Sequence, residues 1–254
     1  MTDKSGAADE PFFVGYISKV PKPLATFLLV FMVCFALGMG LAAFALSSGQ
    51  PDPGDAAIRW GQRFEQSGML ELRPYPVFRV AGENGEAGRT YMLSGQGKRG
   101  VFPQAEANSG KLVTLRGVPV QRGDLTMIQV GRVQAQNDAV NLPSLSEPVS
   151  LGRWRLTGEI CDGKCYFGAM RPGRGLAHKA CAEFCLTGGV PPVFVSSGEV
   201  EGRNFFLLTN KDGGLLGDEL DRYLALFIEV EGDVERLDDL LVFKVDLESA
   251  RILR

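Results

Sequence analysis

The chain has 254 residues, which is enough for one membrane segment and one or two modest domains. Its formal net charge is −3, so it has no strong basic field and we expect no nucleic-acid partner. The 32 glycines and 14 prolines are many for an all-helical protein and favour a β-rich body with many turns. Five cysteines accompany a single histidine, and four of the cysteines share one short window with that histidine.

The first predicted element is a transmembrane helix over 24–46, a run without a charged residue. At about 1.5 Å per residue, this run spans a hydrocarbon core of roughly 30 Å. The tail 1–23 carries Lys19 and Lys22 close to the helix, whereas Asp52 and Asp55 open the other flank. The positive-inside tendency therefore predicts a cytoplasmic tail and a body on the far side of the membrane. A cleaved signal peptide and a buried core helix are the alternatives.

The body resembles two copies of one β unit, predicted over 73–136 and 150–254. The block Pro76 to Val80 recurs as Pro192 to Ser196, and three later strand-like blocks recur in the same order. Their alternating apolar and polar residues are typical of strands with one buried face. Hairpin turns are expected at Gly123-Asp124 and Asp238-Asp239. The pattern predicts a mainly β protein with two tandem small barrels, for which the OB-fold is the first choice.

Three segments join or interrupt these units. Residues 47–72 are predicted to connect the membrane helix to the first barrel, with a short helix over Ile58 to Leu70. Residues 137–149 are polar, contain two prolines and are the predicted linker. The second unit carries an insertion over 159–191, whereas only a few residues occupy the matching place in the first unit.

The insertion contains the residues best suited to chemistry. His178, Cys181 and Cys185 are spaced i, i+3 and i+7, so they share one face of a predicted helix, while Cys161 and Cys165 flank a turn-forming Asp-Gly-Lys. Thiolate and imidazole groups suit iron–sulfur, copper or zinc centres, which makes these five residues a predicted metal site. Two disulfides among the four cysteines are the alternative, because cysteines outside the cytoplasm usually oxidise. A thiol pair that exchanges disulfides is a third interpretation.

A second group in the insertion is basic. Arg171, Arg174 and Lys179 surround a Pro-Gly-x-Gly stretch, where glycine amides and guanidinium groups could bind a phosphate or carboxylate. A solvated, glycine-rich loop is the simpler interpretation of the same residues. The sequence has no Walker loop, dinucleotide fingerprint, haem-attachment motif or nucleophile elbow, so an enzyme is the least favoured class.

Two resemblances follow from these motifs. The Cys181-x-x-x-Cys185 segment resembles the copper loop of cytochrome oxidase subunit II, although Gly189 stands where that family has a histidine. The segment from Gly158 to Phe194 resembles an uncharacterised family of bacterial membrane-anchored proteins with the pattern CxxKCYxGxMxPGxGxxHKxCAxxCxxGGxPPxF. The second resemblance implies a bacterial source and a membrane anchor, and it implies no activity.

These observations support two functional hypotheses. The first is an accessory or electron-transfer subunit of a membrane redox complex in the bacterial inner membrane. It would hold a metal or iron–sulfur site in the insertion and contact a membrane-protein partner through the insertion and the helix, where Gly38 and Gly40 permit close helix packing. The second is a non-catalytic assembly protein whose insertion is stapled by two disulfides and binds a partner protein.

Overall fold

The computed structural model describes residues 20–49, 54–82, 87–136 and 145–253. Helix α1 (Lys22–Ser48) begins directly after Pro21 and is long and apolar enough to cross a membrane. None of its residues is buried, which argues against a core helix, while a signal sequence would meet the same criteria. The helix belongs to one compact unit, and the body from Pro53 onward forms a second.

Within the described residues, the body contains eleven strands and two further helices. The strands are β1 (Ala57–Ile58), β2 (Phe64–Arg73), β3 (Tyr75–Val80), β4 (Arg89–Ser94), β5 (Lys111–Arg122), β6 (Leu125–Ala135), β7 (Val149–Asp162), β8 (Pro192–Val200), β9 (Arg203–Asn210), β10 (Phe227–Leu237) and β11 (Leu240–Ile252). The helices are α2 (Phe102–Asn108) and α3 (Lys179–Thr187). The predicted linker falls mostly at 137–144, outside the described residues.

The strands form two barrels with the same pairing pattern. In the first barrel, β2 pairs with β3, β3 with β4, β4 with β6, β6 with β5, and β5 with β2. In the second, β7, β8, β9, β11 and β10 close in the same order. The β4–β6 and β9–β11 pairs are parallel and the others are antiparallel. The predicted mainly β fold with two barrel-like units is confirmed.

The turns follow their sequence signals. Gly123-Asp124 joins β5 to β6, and Asp238-Asp239 joins β10 to β11. Gly123 and Asp238 have φ values of 57° and 55°, in the left-handed region that glycine and aspartate tolerate better than most residues. Both predicted hairpins are therefore confirmed.

The short helix predicted over Ile58 to Leu70 is wrong, because strands β1 and β2 occupy this segment. Gly68 allows β2 to pass very close to β3: a Cβ there would lie 2.4 Å from the carbonyl oxygen of Arg79. The flanking residues pair with β5 from Phe64 onward, and Leu70 is buried in the barrel. Pairing with β3 and β5 therefore outweighs the local helical preference of this segment.

Two apolar cores fill the barrels and a third joins them. Phe78 and Leu93 lie in the core of the first barrel, while Phe194 and Phe206 lie in that of the second. The residues next to them in each strand point to the outer face of the barrel. Val77 and Met92 of the first barrel pack with Val193, Val195 and other residues of the second in a shared cluster. The two barrels pack together over β3, β4, β8 and β9. This packing covers the outer face of these strands, so both of their faces are buried.

Candidate metal centre

The insertion lies between the end of β7 at Asp162 and the start of β8 at Pro192. It opens with a wide helical turn over Cys165–Ala169 and continues through a loop to a short 3₁₀ turn at Leu176–His178. Helix α3 follows, and Gly188 and Gly189 end it as predicted. The insertion thus brings cysteines from its first turn and from α3 to one place.

Three cysteines form a compact thiol cluster. The Sγ of Cys165 lies 3.9 Å from that of Cys181 and 3.8 Å from that of Cys185. A disulfide requires about 2.05 Å, so these sulfurs are not bonded in this structure, and all five cysteines of the chain are free. Ligand atoms of Cys165, His178 and Cys181 lie within 4.8 Å of one another, and so do those of Asp162, Cys165 and Cys185. Cys165 belongs to both groups.

The histidine is held by a buried carboxylate. His178 Nε2 lies 2.9 Å from Oδ2 of Asp162, and both residues are buried. The other carboxylate oxygen of Asp162 accepts a 2.9 Å hydrogen bond from the backbone N–H of Cys165. A metal-binding histidine commonly donates its second ring N–H to a carboxylate, which fixes the tautomer and the ring orientation. Asp162 therefore has the geometry of a residue that orients both His178 and Cys165.

A lysine of the first barrel completes the cluster. The Nζ of Lys98, in the loop between β4 and α2, lies 2.6 Å from Sγ of Cys181 and 3.9 Å from Sγ of Cys185. The backbone N–H of Gly100 donates to the carbonyl of Gly188 at 2.8 Å. Glycine is needed for this approach, since a Cβ at Gly188 would lie 1.8 Å from the carbonyl oxygen of Lys98. Both barrels thus contribute to the site.

A second lysine supports the same loop from the insertion. The buried Nζ of Lys164 donates to the carbonyls of Gly95 and Gly97 at 2.6 and 2.8 Å. Burial lowers the pKa of Lys164, although nearby Cys185 and Cys165 act in the opposite direction. Lys164 therefore fixes the backbone that carries Lys98.

The electrostatics favour a thiolate within the cluster. A hydrogen bond from Cys165 lowers the pKa of Cys185, and the same contact raises the pKa of Cys165. The close contact with the Cys181 sulfur raises the pKa of Lys98, which keeps its ammonium charged beside the sulfurs. An ammonium group beside neighbouring thiols stabilises the thiolate, which is the form in which cysteine binds soft metal ions.

An open cleft of about 490 Å³ leads to the thiols. Cys165 and Cys185 line it together with both lysines. The apolar wall of this cleft consists of Ile58, Trp60, Ala169 and Met170. A small molecule or ion can therefore reach the sulfurs from solvent.

Cys161 is placed apart from the other predicted ligands. It is buried in the cluster between the barrels and its thiol donates to Oε1 of Glu159 at 3.4 Å. Burial, with Glu159 adding to it, raises the pKa of Cys161 well above its usual value. It belongs to neither ligand group of the described residues, so its geometry is that of a packed thiol.

The basic residues of the insertion have separate surroundings. Arg171 Nη2 donates to the carbonyl of Ala56 at 2.7 Å, which ties the insertion to the segment before β1. Arg174 is exposed, and Lys179 is half-buried at the start of α3. The described contacts give the three no common partner, and the anion site remains a prediction.

Sequence reasoning missed Asp162, Lys164 and Lys98. The first two lie between Cys161 and Cys165 in the Asp-Gly-Lys that was interpreted only as a turn. Lys98 lies in a loop with the sequence GQGKRG, whose glycines are typical of a close backbone approach and do not identify the partner. Comparison of this chain with protein-family models, curated proteins and solved structures gave no match.

Proposed function

We propose that this protein is a membrane-anchored accessory subunit whose insertion binds one divalent metal ion, with zinc as the preferred ion. The observation that carries the proposal is the spacing of the sulfurs. Bonds of about 2.3 Å from a tetrahedral ion to sulfur place two sulfur ligands about 3.8 Å apart. The sulfurs of Cys185 and Cys181 lie 3.8 and 3.9 Å from that of Cys165. The proposed ligands are Cys165, Cys181, Cys185 and His178, which come from two neighbouring ligand groups that share Cys165.

The charges of the site support a divalent ion. Three thiolates and the Asp162 carboxylate carry four negative charges, and Lys98 and Lys164 carry two positive ones. A neutral His178 with a divalent cation brings the total to zero, the balance that a largely buried site favours. Monovalent copper would leave one uncompensated negative charge.

The ligand set also supports a structural role. Three cysteines and one histidine fill the four positions of a zinc ion, as in structural sites, whereas catalytic sites keep one position open. A [2Fe–2S] or [4Fe–4S] cluster is usually held by four cysteines, whereas the fourth cysteine of this segment, Cys161, is buried apart from the other three. Zinc is not redox-active and cannot carry electrons. The protein is therefore proposed to be an accessory subunit of a membrane redox complex and not the electron-transfer subunit of that complex.

The proposed location follows from the N-terminal segment. The helix anchors the protein in a bacterial inner membrane, with the tail in the cytoplasm and the body in the periplasm. Lysines before the helix and the resemblance of the insertion to bacterial membrane-anchored proteins support this orientation and source. The proposed partner is a membrane protein that contacts α1 and the insertion.

A disulfide-stapled assembly protein is the second candidate, favoured by the close sulfurs of Cys165 and its neighbours. Cys165 can bond to only one of Cys181 and Cys185, while Cys161 is buried elsewhere. The geometry therefore offers one disulfide more readily than two.

The two candidates can be separated in one preparation. The full chain would be purified in detergent under anaerobic conditions, and its metal content and reactive thiols would be measured before and after chelation. The metal proposal predicts about one equivalent of zinc per chain and a cluster whose thiols react only after chelation. Absence of metal together with an oxidised pair of thiols would reject it in favour of the disulfide candidate.

A further inference from the structure

The contact between Lys98 and Cys181 is too short for an ordinary hydrogen bond to sulfur. Hydrogen bonds from N–H to oxygen span about 2.7–3.2 Å. Sulfur is larger than oxygen, so an N–H to sulfur bond is longer still. The Nζ of Lys98 and Sγ of Cys181 are nevertheless only 2.6 Å apart.

This separation matches two atoms that share one bridging atom. Two single bonds of about 1.5 Å that meet at about 111° span about 2.5 Å. Bonds to sulfur are slightly longer, which moves the expected separation toward the measured 2.6 Å. A single oxygen atom between nitrogen and sulfur satisfies this geometry.

The pair is held in place by the surrounding backbone. Lys164 fixes the carbonyls of Gly95 and Gly97 on one side of Lys98, and the hydrogen bond from Gly100 to Gly188 fixes the other side. The side chain of Lys98 is exposed, and the cleft lined by Lys98 is open to solvent. Dissolved oxygen can therefore reach a pair of side chains that needs no rearrangement.

We propose that Lys98 and Cys181 form a covalent N–O–S bridge when the metal-free protein meets dioxygen. The lysine amine, after losing its ammonium proton, gives up one hydrogen and the thiol gives up its hydrogen. N–O and O–S bonds form, the O–O bond breaks, and the second oxygen leaves with the two hydrogens as water. Nitrogen and sulfur each lose two electrons, which together reduce one dioxygen by four.

The bridge gives the site an oxidised form distinct from the metal site. It removes Cys181 from the ligand set and links the loop of the first barrel covalently to α3 of the second. A thiol reductant that supplies four electrons and four protons restores the amine and the thiol and releases water. The bridge does not depend on the proposed function, because it forms in protein without metal.

Mass spectrometry tests the bridge directly. The full chain in detergent would be stripped of metal by a chelator, divided between air-equilibrated and anaerobic buffer, and digested. We expect a cross-linked peptide pair containing Lys98 and Cys181 in the aerobic sample alone. Its mass should equal the sum of both peptides plus one oxygen minus two hydrogens, and reductant should reverse it. A disulfide between Cys165 and Cys181, or oxidised Cys181 without a link to Lys98, would overturn the proposal.

Matched variants distinguish the bridge from general oxidation. Lys98→Arg keeps the cation beside the sulfurs but removes the primary amine, so the cross-link should vanish, as it should in Cys181→Ser. Cys185→Ser removes a neighbouring thiol and should leave the cross-link in place. A cross-link that persists in Lys98→Arg, or that disappears in Cys185→Ser, would contradict direct pairing. Metal binding is measured separately and anaerobically, so a failure of either proposal leaves the other testable.

Discussion

The two barrels differ most in the segment between their first two strands. In the first barrel, Pro74 alone separates β2 from β3. In the second, residues 163–191 separate the equivalent strands β7 and β8. The pairing of the five barrel strands is otherwise the same in both, and β1 adds to β5 in the first barrel. The first barrel therefore shows the fold without the insertion, and the insertion is the segment that carries the Cys/His cluster.

The comparison also shows that neither barrel carries the site alone. The second barrel supplies the thiols, His178 and Asp162, while the first supplies Lys98 through a glycine-rich loop. Close backbone packing at Gly100 and Gly188 brings the two parts together. A repeated fold can thus place a site at the junction of its copies.

The largest expected effect comes from the cysteine shared by both ligand groups. Cys165→Ser should reduce bound metal from about one equivalent to less than about a tenth, because three remaining ligands bind far more weakly. Elemental analysis of the anaerobically purified full chain measures this loss. Cys161→Ser is the matched control and should keep its metal. Equal metal content in both variants would show that Cys165 is not a ligand.

The next largest effect is expected on stability, at a buried ion pair that joins the two barrels outside the proposed metal site. Arg79 of the first barrel donates from Nε to Oδ2 of Asp238 in the second at 2.8 Å, and both side chains are buried. Arg79→Met leaves the buried Asp238 carboxylate without its ion-pair partner, with the hydroxyl of Thr90 still donating to it, and should lower the free energy of unfolding by about 3–5 kcal/mol. Denaturant titration followed by tryptophan fluorescence measures this change.

A double variant separates charge from packing in that contact. Asp238→Asn removes the charge and keeps a residue that tolerates the left-handed backbone at this position. Combined with Arg79→Met, it should recover part of the lost stability. If the double variant is as unstable as the sum of the two single variants, the cost is one of packing and the ion pair is not its cause.

A smaller effect should appear at high pH through Tyr75, which contacts the backbone of Leu216 across the junction. Burial raises the pKa of Tyr75 to about 12, whereas an unfolded tyrosine titrates near about 10. The folded state holds this proton more tightly, so its contribution is complete below about pH 10 and is lost as pH rises toward 12. The expected loss is about 2–3 kcal/mol.

Tyr75→Phe tests this dependence. The variant has no phenol to titrate, so its stability should fall less steeply than that of the parent chain over the same pH range. Denaturant midpoints at several alkaline pH values provide the measurement. Parallel curves for both proteins would mean that Tyr75 ionises equally in the folded and unfolded states.

The smallest effect is expected at an exposed ion pair of the first barrel. Arg116 and Glu65 are both about half exposed and lie on paired strands. Solvent screens such pairs, so Arg116→Ala should change the free energy of unfolding by less than about 1 kcal/mol. This variant is a control for the larger effects at Arg79. A loss of several kcal/mol here would show that the measurement reports on something other than buried contacts.

Much of the fold follows from local sequence patterns. Alternating apolar residues and the repeated Pro-Val-Phe blocks predicted the strands, and Asp238 predicted a hairpin. Strand β2 was missed because its apolar spacing also suits a helix. Gly68 corresponds to Gly158 of β7, and a Cβ at either position would collide with the adjacent strand. Aligning those two glycines would have extended the repeat to its first strand.

The site was only partly predictable for a physical reason. His178, Cys181 and Cys185 share one short segment, so helical spacing alone brought them together. Lys98 reaches the same place from another barrel, and no local pattern encodes a contact across that distance in sequence. Cys161 was included because it is near Cys165 in sequence, yet β7 directs it into the packed junction.

X-ray absorption at the zinc edge of the anaerobic full chain tests most directly whether three thiolates and His178 bind one zinc ion. We expect a four-coordinate ion with three sulfurs at about 2.3 Å and one nitrogen at about 2.0 Å. Replacing His178 by alanine should remove the nitrogen contribution and leave the sulfur distance unchanged. A spectrum dominated by oxygen or nitrogen ligands, or a chain without stoichiometric zinc, would contradict the account.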